Sequence, residues 1–325
     1  MSVAAAGAVA LAAALDRLFA EPPARLHPVA WLGSGVGWLD DRLPDSPATG
    51  VAFAVLIPLV AALGAGAFVL GAGAVHSFLA TVAAGVLLFV TFSHRMLVET
   101  AREVVDLADR DLETARDELL ALAGRDADEL SAGQVRSAAV ESAAENLADG
   151  LVAPLGGFVA AVLLGSVAGV AGVTVLAIGA AAAAWVKAVN TLDSMLGYPH
   201  RGAGGPPARL DDAVMWLPAR LSALLLVAVS TPRTPLRTLR RARTAARVPS
   251  SPNSGWPMAT LAAVLGCRFE TPGTYTLFGD RALPDGPTAR RGVGVVSRTG
   301  WLAVLIAGVV AALPAVLLTG VSGSA

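Results

Sequence analysis

The sequence predicts an all-α, polytopic membrane protein, and three observations predict it. Hydrophobic residues make up 55% of the 325 positions while charged residues make up 15%, and the mean hydropathy is +0.64. That is too apolar for an ordinary soluble domain. Several stretches approach the roughly 20 apolar residues that a helix needs to cross a bilayer core of about 30 Å. No strand alternation stands out, apart from a weak one between 268 and 280.

The apolar stretches are 1–15, 51–75, 77–93, 151–189 and 301–320, giving about five to six helices. Residues Met1 to Ala20 are Ala-rich like a signal peptide, but they lack a positive start and run into Asp16 and Arg17. They read as a retained first helix. The 151–189 stretch is far too long for one crossing at about 1.5 Å per residue. Gly165, Gly169 and Gly172 near its middle suit a tight hairpin of two helices, or equally a close-packed small-residue face. In 213–230, Pro218 and Arg220 interrupt the apolar run. An arginine at mid-bilayer is expensive, so this segment reads as interfacial or re-entrant.

Between His94 and Ala148, apolar residues recur at helical spacing (Val98, Val105, Ala108, Leu112, Ala115, Leu119, Leu122) among many charges. The pattern predicts an extramembrane helical hairpin over 94–150, with Gly124 ending one helix and the capping box Ser131 to Gln134 starting the next. Arg233, Arg237, Arg240, Arg241, Arg243 and Arg247 make 231–250 strongly basic. That places 231–300 as a cytoplasmic basic and loop region of a single membrane-embedded domain, 1–325. These arginines either neutralise substrate anions or anchor to anionic lipid, the reading we favour. Segments 201–209 and 249–257 have loop composition.

The 24 basic and 25 acidic residues give no field that would recruit nucleic acid. A single cysteine, Cys267, excludes an internal disulfide and a multi-thiolate metal site. It reads as a buried small residue.

Two polar clusters flank the 151–189 hairpin. Glu141, Glu145 and Asp149 advance by four residues and would share one helical face beside Ser142, Asn146 and Gly150. Unrelieved carboxylates in that pattern suit a hard cation such as magnesium; the alternative is an inert acidic helix end. Lys187, Asn190, Thr191 and Ser194 fall at i, i+3, i+4 and i+7, close to Asp193 and Tyr198. They can bind a phosphate or carboxylate, or represent a snorkelling lysine with an amide-rich helix end. A hairpin would make the clusters neighbours. Arg209, Asp211 and Asp212 read as metal ligands or, slightly better, as dipole-stabilised helix-start residues. Ser251 to Pro257 can present amides to an anion, although turn formation alone accounts for it. His27 by itself is more often structural, and Gly33, Gly35 and Gly37 do not form a Walker loop.

Taken in order, Asp16 with HPV at 27–29, GRD at 124–126, ESAAENLADGLVAPL at 141–155, KAVNTLDSMLGY at 187–198, ARLDD at 208–212, PARL at 218–221 and SPNSGWP at 251–257 resemble the cobinamide-phosphate synthase family of cobalamin biosynthesis, known as CobD or CbiB. The resemblance covers most of the chain. It departs at Gly156, where the family usually has Phe, and at 200–205, where the family is aromatic-rich.

The resemblance implies a multi-pass cell-membrane ligase. It would join aminopropanol, or its O-phosphate, to a propionate carboxyl of cobyric acid, using ATP as co-substrate and Mg2+. The product would be cobinamide or cobinamide phosphate. The site would face the cytoplasm, and other corrinoid-pathway enzymes are conceivable partners beside the lipid bilayer. The two polar clusters motivate catalytic roles for Glu141, Glu145, Asn146, Asp149, Lys187, Asn190 and Asp193, with Glu141, Glu145 and Asp149 as metal ligands. Substrate-binding roles fall to His27, Ser194, Tyr198, Arg209, Asp211, Asp212, Ser251 and Asn253. The rival classes are a polytopic transporter, a membrane scaffold for corrinoid enzymes and a lipid-headgroup transferase. Polar clusters at span ends and the absence of a repeat favour the enzyme.

Overall fold

In the computed structural model, residues 2–123, 127–170, 172–198, 200–230 and 234–322 are described. The expected helix stop at Gly124, the GRD segment and Arg233 therefore lie outside the described residues. In chain order the helices are α1 (Ser2–Phe19), α2 (Pro28–Asp40), α3 (Pro47–Val75), α4 (Ser77–Phe89), α5 (His94–Leu107), α6 (Leu112–Ala123), α7 (Ala132–Leu147), α8 (Ala153–Val167) and α9 (Val173–Leu196). They continue as α10 (Gly205–Val214), α11 (Trp216–Ser230), α12 (Pro235–Ala245), α13 (Gly255–Leu265) and α14 (Gly286–Ser322). A 3-10 turn, Ala24–Leu26, precedes α2, and a π-helical turn, Ala148–Val152, follows α7. The one described sheet is an antiparallel pair, β1 (Phe269–Thr271) and β2 (Tyr275–Leu277), with Glu270 opposite Thr276. It lies within the weak alternation noted at 268–280.

Five helical runs among the described residues are long and apolar enough to cross a membrane: Pro47–Val75, Ser77–Leu107, Ala132–Val167, Val173–Leu196 and Gly286–Leu313. The chain is thus an all-α multi-pass membrane protein. A sixth crossing arises only if α10 and α11, separated at Met215, count as one broken span. Many large side chains on these runs point outward, among them Val60, Leu63 and Phe68 of α3, as a lipid-facing surface requires.

Contacts divide the chain into two compact units. The first comprises Met1–Ser93, Ala153–Val214 and Ala303–Ala325, and the second His94–Val152 and Met215–Leu302. In the first, α3 and α8 pack on α9, α1 packs on α4, and α10 lies against α3 and α9. Val36, Phe53, Ile57, Leu192 and Leu196 form a buried cluster there. The 151–189 stretch is the expected hairpin: α8 and α9 pack together around a short turn, with Gly169 and Gly172 at φ +76° and +70°. Those angles are in the left-handed region that glycine adopts without steric cost.

In the second unit, α5, α6 and α7 pack mutually and α13 packs on α7, α11 and α12. The capping box forms as expected: Ser131 Oγ accepts the Gln134 N–H and Gln134 Oε1 accepts the Ser131 N–H at 2.9 Å. The first arm of the predicted hairpin is broken, however, into α5 and α6. Asp111 starts α6, its carboxylate accepting the Thr114 N–H at 3.2 Å and the Thr114 hydroxyl at 2.7 Å. These bonds hold the Asp111 pKa below the usual carboxylate value. Helix also begins earlier than loop composition suggested at 201–209, because α10 accommodates Pro206 and Pro207 in its first turn, where backbone N–H groups have no intrahelical acceptor.

Candidate functional site

In the first unit the chain leaves the 3-10 turn at His27, whose extended backbone (φ −92°, ψ 113°) is the conformation a following proline imposes. Pro28 then opens α2, and His27 Nδ1 accepts the Val29 N–H at 3.2 Å. With Nδ1 an acceptor, the neutral ring carries its proton on Nε2. Burial pushes the His27 pKa below 6.5; Glu21 partly opposes the shift and the Lys187 charge reinforces it. His27 Nε2 stands 3.9 Å from Glu21 Oε2, too far for a direct hydrogen bond.

Glu21, His27, Thr91, Ser93 and Lys187 line a cavity of about 310 Å³. The structure thus joins two of the predicted residues, His27 and Lys187, with Glu21 of the same N-terminal polar region as His27, and adds Thr91 and Ser93, which sequence reasoning passed over. The signal for those two was a Thr-Phe-Ser step ending the apolar run of α4.

Along α9 the predicted spacing is realised. Thr191 Oγ1 donates to Lys187 O at 2.8 Å, Ser194 Oγ to Asn190 O at 2.9 Å, and Tyr198 OH to Ser194 O at 3.2 Å. The Tyr198 ring stacks on His200. α10 brings Asp212 within electrostatic reach of Asp193, buries Asp211 and exposes Arg209. The 200–205 loop, where the family pattern is lost, is tied down. Arg201 pairs with Asp40, and Asp45 accepts the N–H groups of Gly202 and Ala203 at 3.0 and 2.8 Å.

In the second unit Glu141 is fully buried. Its Oε1 accepts from Ser137 Oγ at 2.7 Å and the Glu270 N–H at 3.1 Å, and its Oε2 accepts from Tyr275 OH at 2.8 Å. Glu145 and Asp149 are half-buried, and exposed Asn146 donates to Ser142 O. The π turn at 148–152 also interrupts the regular spacing that would align Asp149 with Glu141 and Glu145. Among the described residues, no group of three His, Cys, Asp or Glu side chains is placed to hold a metal. The three carboxylates therefore do not fit a resident magnesium: Glu141 faces protein donors and bolts α7 to the β-hairpin. The acidic cluster and the Lys187 cluster fall in different units.

Two other predicted motifs meet. Arg220 of PARL lies between the rings of Trp216 and Trp256, 4.7 and 5.0 Å from their centroids. It donates to Asn253 Oδ1 and to Pro252 O. Ser251 Oγ accepts the N–H groups of Asn253 and Ser254. Asn253 is buried, so in this structure Ser251 and Asn253 shape the loop that holds Arg220. In the same unit, a cavity of about 180 Å³ is lined by Arg237, Arg241 and Arg281. Cys267 is buried, as expected, and burial pushes its thiol up to about 12.

The fold and this chemistry define a class: an all-α multi-pass membrane protein with small cavities that carry charged side chains. Residues 9–291 match the family described as CobD/Cbib protein. The chain belongs to the CobD/CbiB family. It is 37% identical over 308 residues to the probable cobalamin biosynthesis protein CobD of Methanothrix thermoacetophila, covering 91% of this chain and 93% of that one. It is 37% identical over 281 residues to the cobalamin biosynthesis protein CobD of Klebsiella pneumoniae, covering 82% of each. To the cobalamin biosynthesis protein CbiB of Salmonella typhi it is 34% identical over 304 residues, covering 88% of each. No solved structure matches the chain.

Proposed function

We propose that this protein acts in cobalamin biosynthesis as an ATP-dependent acid–amine ligase, joining aminopropanol or its O-phosphate to a propionate carboxyl of cobyric acid. Family membership supplies the pathway, and the observation that carries the chemistry is the 310 Å³ cavity where Lys187, His27 and Glu21 meet. Carboxylates do not react with amines unaided. In the proposed reaction the propionate oxygen attacks the γ-phosphorus of ATP and ADP leaves. The amine nitrogen then attacks the acyl carbon, inorganic phosphate departs with the C–O electron pair, and the nitrogen loses a proton. Magnesium enters as the counter-ion of ATP.

Lys187 fixes an anionic end of the amine substrate as a point charge. His27, neutral at pH 7, donates from Nε2 without adding a second cation beside Lys187. Asn190, one turn along α9, and Asp193 orient the amine or the carboxyl. The site faces the cytoplasm, where ATP is supplied.

The test is amide formation by the purified protein in detergent, followed by mass spectrometry and ADP release. With cobyric acid, ATP and either amine donor, the wild type should yield the amide. Lys187→Met should lower the rate by about 10²-fold or more, the scale for losing a positioned charge. Absence of amide with both donors, or full activity of Lys187→Met, refutes the assignment.

A further inference from the structure

The 180 Å³ cavity of the second unit lies outside the chemistry assigned so far. Arg237 and Arg241 are one turn apart on α12 and so share a face. α12 buries Thr238 and Ala242 and packs on α13. Arg281 reaches the same cavity from the segment after β2, and Thr234 also lines it, while the Thr238 hydroxyl donates to Thr234 O at 3.2 Å. No carboxylate is among the described lining residues. Asp280, beside Arg281 at 3.4 Å, is 77% exposed and compensates one of the three charges in high dielectric only.

Two backbone features support a built site. Phe278, in the cavity wall, has φ +55°. This left-handed conformation costs a bulky residue energy and clusters at functional positions. The turn it makes is closed by the Arg281 N–H donating to Phe278 O at 3.0 Å, which directs Arg281 back to the cavity. Gly266, also in the wall, has φ +72° and ends α13 there. Three guanidinium groups around one small volume repel one another unless an anion lies among them. A planar guanidinium donates in a fork that matches phosphate oxygens.

We propose that this cavity binds a phosphate-bearing anion of one or two phosphate groups. Its volume suits a group of that size, and the remainder of a nucleotide or of a phospholipid would extend outside it. The shared chemistry is a phosphate ester or diphosphate.

Inorganic pyrophosphate is the probe, titrated calorimetrically into the full-length protein in detergent at about 150 mM salt, where long-range attraction is screened within about 8 Å. Arg237→Gln, Arg241→Gln and Arg281→Gln should each weaken binding at least about tenfold, the loss expected for one charge-assisted hydrogen bond. Arg243→Gln, also exposed on α12 but outside the cavity, should leave it within about twofold. These side chains are surface-accessible, and thermal unfolding checks that each variant is folded. Failure of pyrophosphate to bind, or an equal loss in Arg243→Gln, overturns the proposal by reducing the effect to general surface charge. Displacement by ATP identifies a nucleotide as the source, and displacement by phosphatidic acid in mixed micelles identifies a lipid headgroup. Displacement by neither also overturns it, marking pyrophosphate as an adventitious ion only. Binding is read without turnover, so the result stands apart from the ligase assignment.

Discussion

At the residue scale, His27 is held neutral by the packing around it. Its folded pKa lies below 6.5, so the unfolded chain binds more protons at mildly acidic pH. The stability tied to neutral His27 is complete above pH 6.5 and is lost as pH falls through the folded value. Replacing it with Asn keeps a side-chain acceptor for the Val29 N–H and removes the titration. Thermal unfolding from pH 8 to about pH 5 should then show a shallower acid loss in His27→Asn than in the wild type; superimposable profiles would refute the assignment. Glu141 teaches the opposite lesson. Its place in an acidic i, i+4 series pointed to solvent and a cation, yet Ser137, Tyr275 and the Glu270 N–H enclose it. The partners from the β-hairpin are about 130 residues away in sequence. No local pattern could reveal them.

At the scale of elements, close approach decides what the helices tolerate. A Cβ on Gly179 of α9 would stand 2.8 Å from Val162 Cγ2 and 3.0 Å from the Phe158 ring of α8. Gly64 of α3 has nothing within 4 Å of the same position. Gly179→Ala should therefore destabilise the protein by about 1–3 kcal/mol through overpacking. Gly64→Ala should be neutral or stabilising by up to about 1 kcal/mol. Thermal unfolding in detergent reads both, and equal effects would contradict the close hairpin packing. The break between α5 and α6 shows why periodicity misleads. Val105, Ala108, Ala115 and Leu119 are all buried as the 3.6-residue repeat requires, so the repeat continues across a turn that Asp111 creates by capping.

At the scale of the whole molecule, the proposed cytoplasmic orientation rests on the arginines of 231–247 and is open to direct test. A cysteine at exposed Thr244, in a Cys267→Ala background, should resist a membrane-impermeant maleimide in intact cells and react in inverted vesicles. Labelling in intact cells would reverse the orientation. The sequence by itself determined that the chain is helical and membrane-embedded, because bilayer thickness sets the length of an apolar run and hydrophobic burial is local and additive. It suggested the α8–α9 hairpin and determined the Ser131 capping box, since each depends on a few neighbouring residues. Its ordered motifs carried the family.

Only the tertiary structure decided which polar side chains meet. It put His27, Glu21 and Lys187 around one cavity, joined Arg220 to Asn253 between two tryptophans, and withdrew Glu141 from the surface. The physical reason is that a buried polar group must find a hydrogen-bond partner, and the partner's identity is set by packing between segments that composition and spacing describe one at a time.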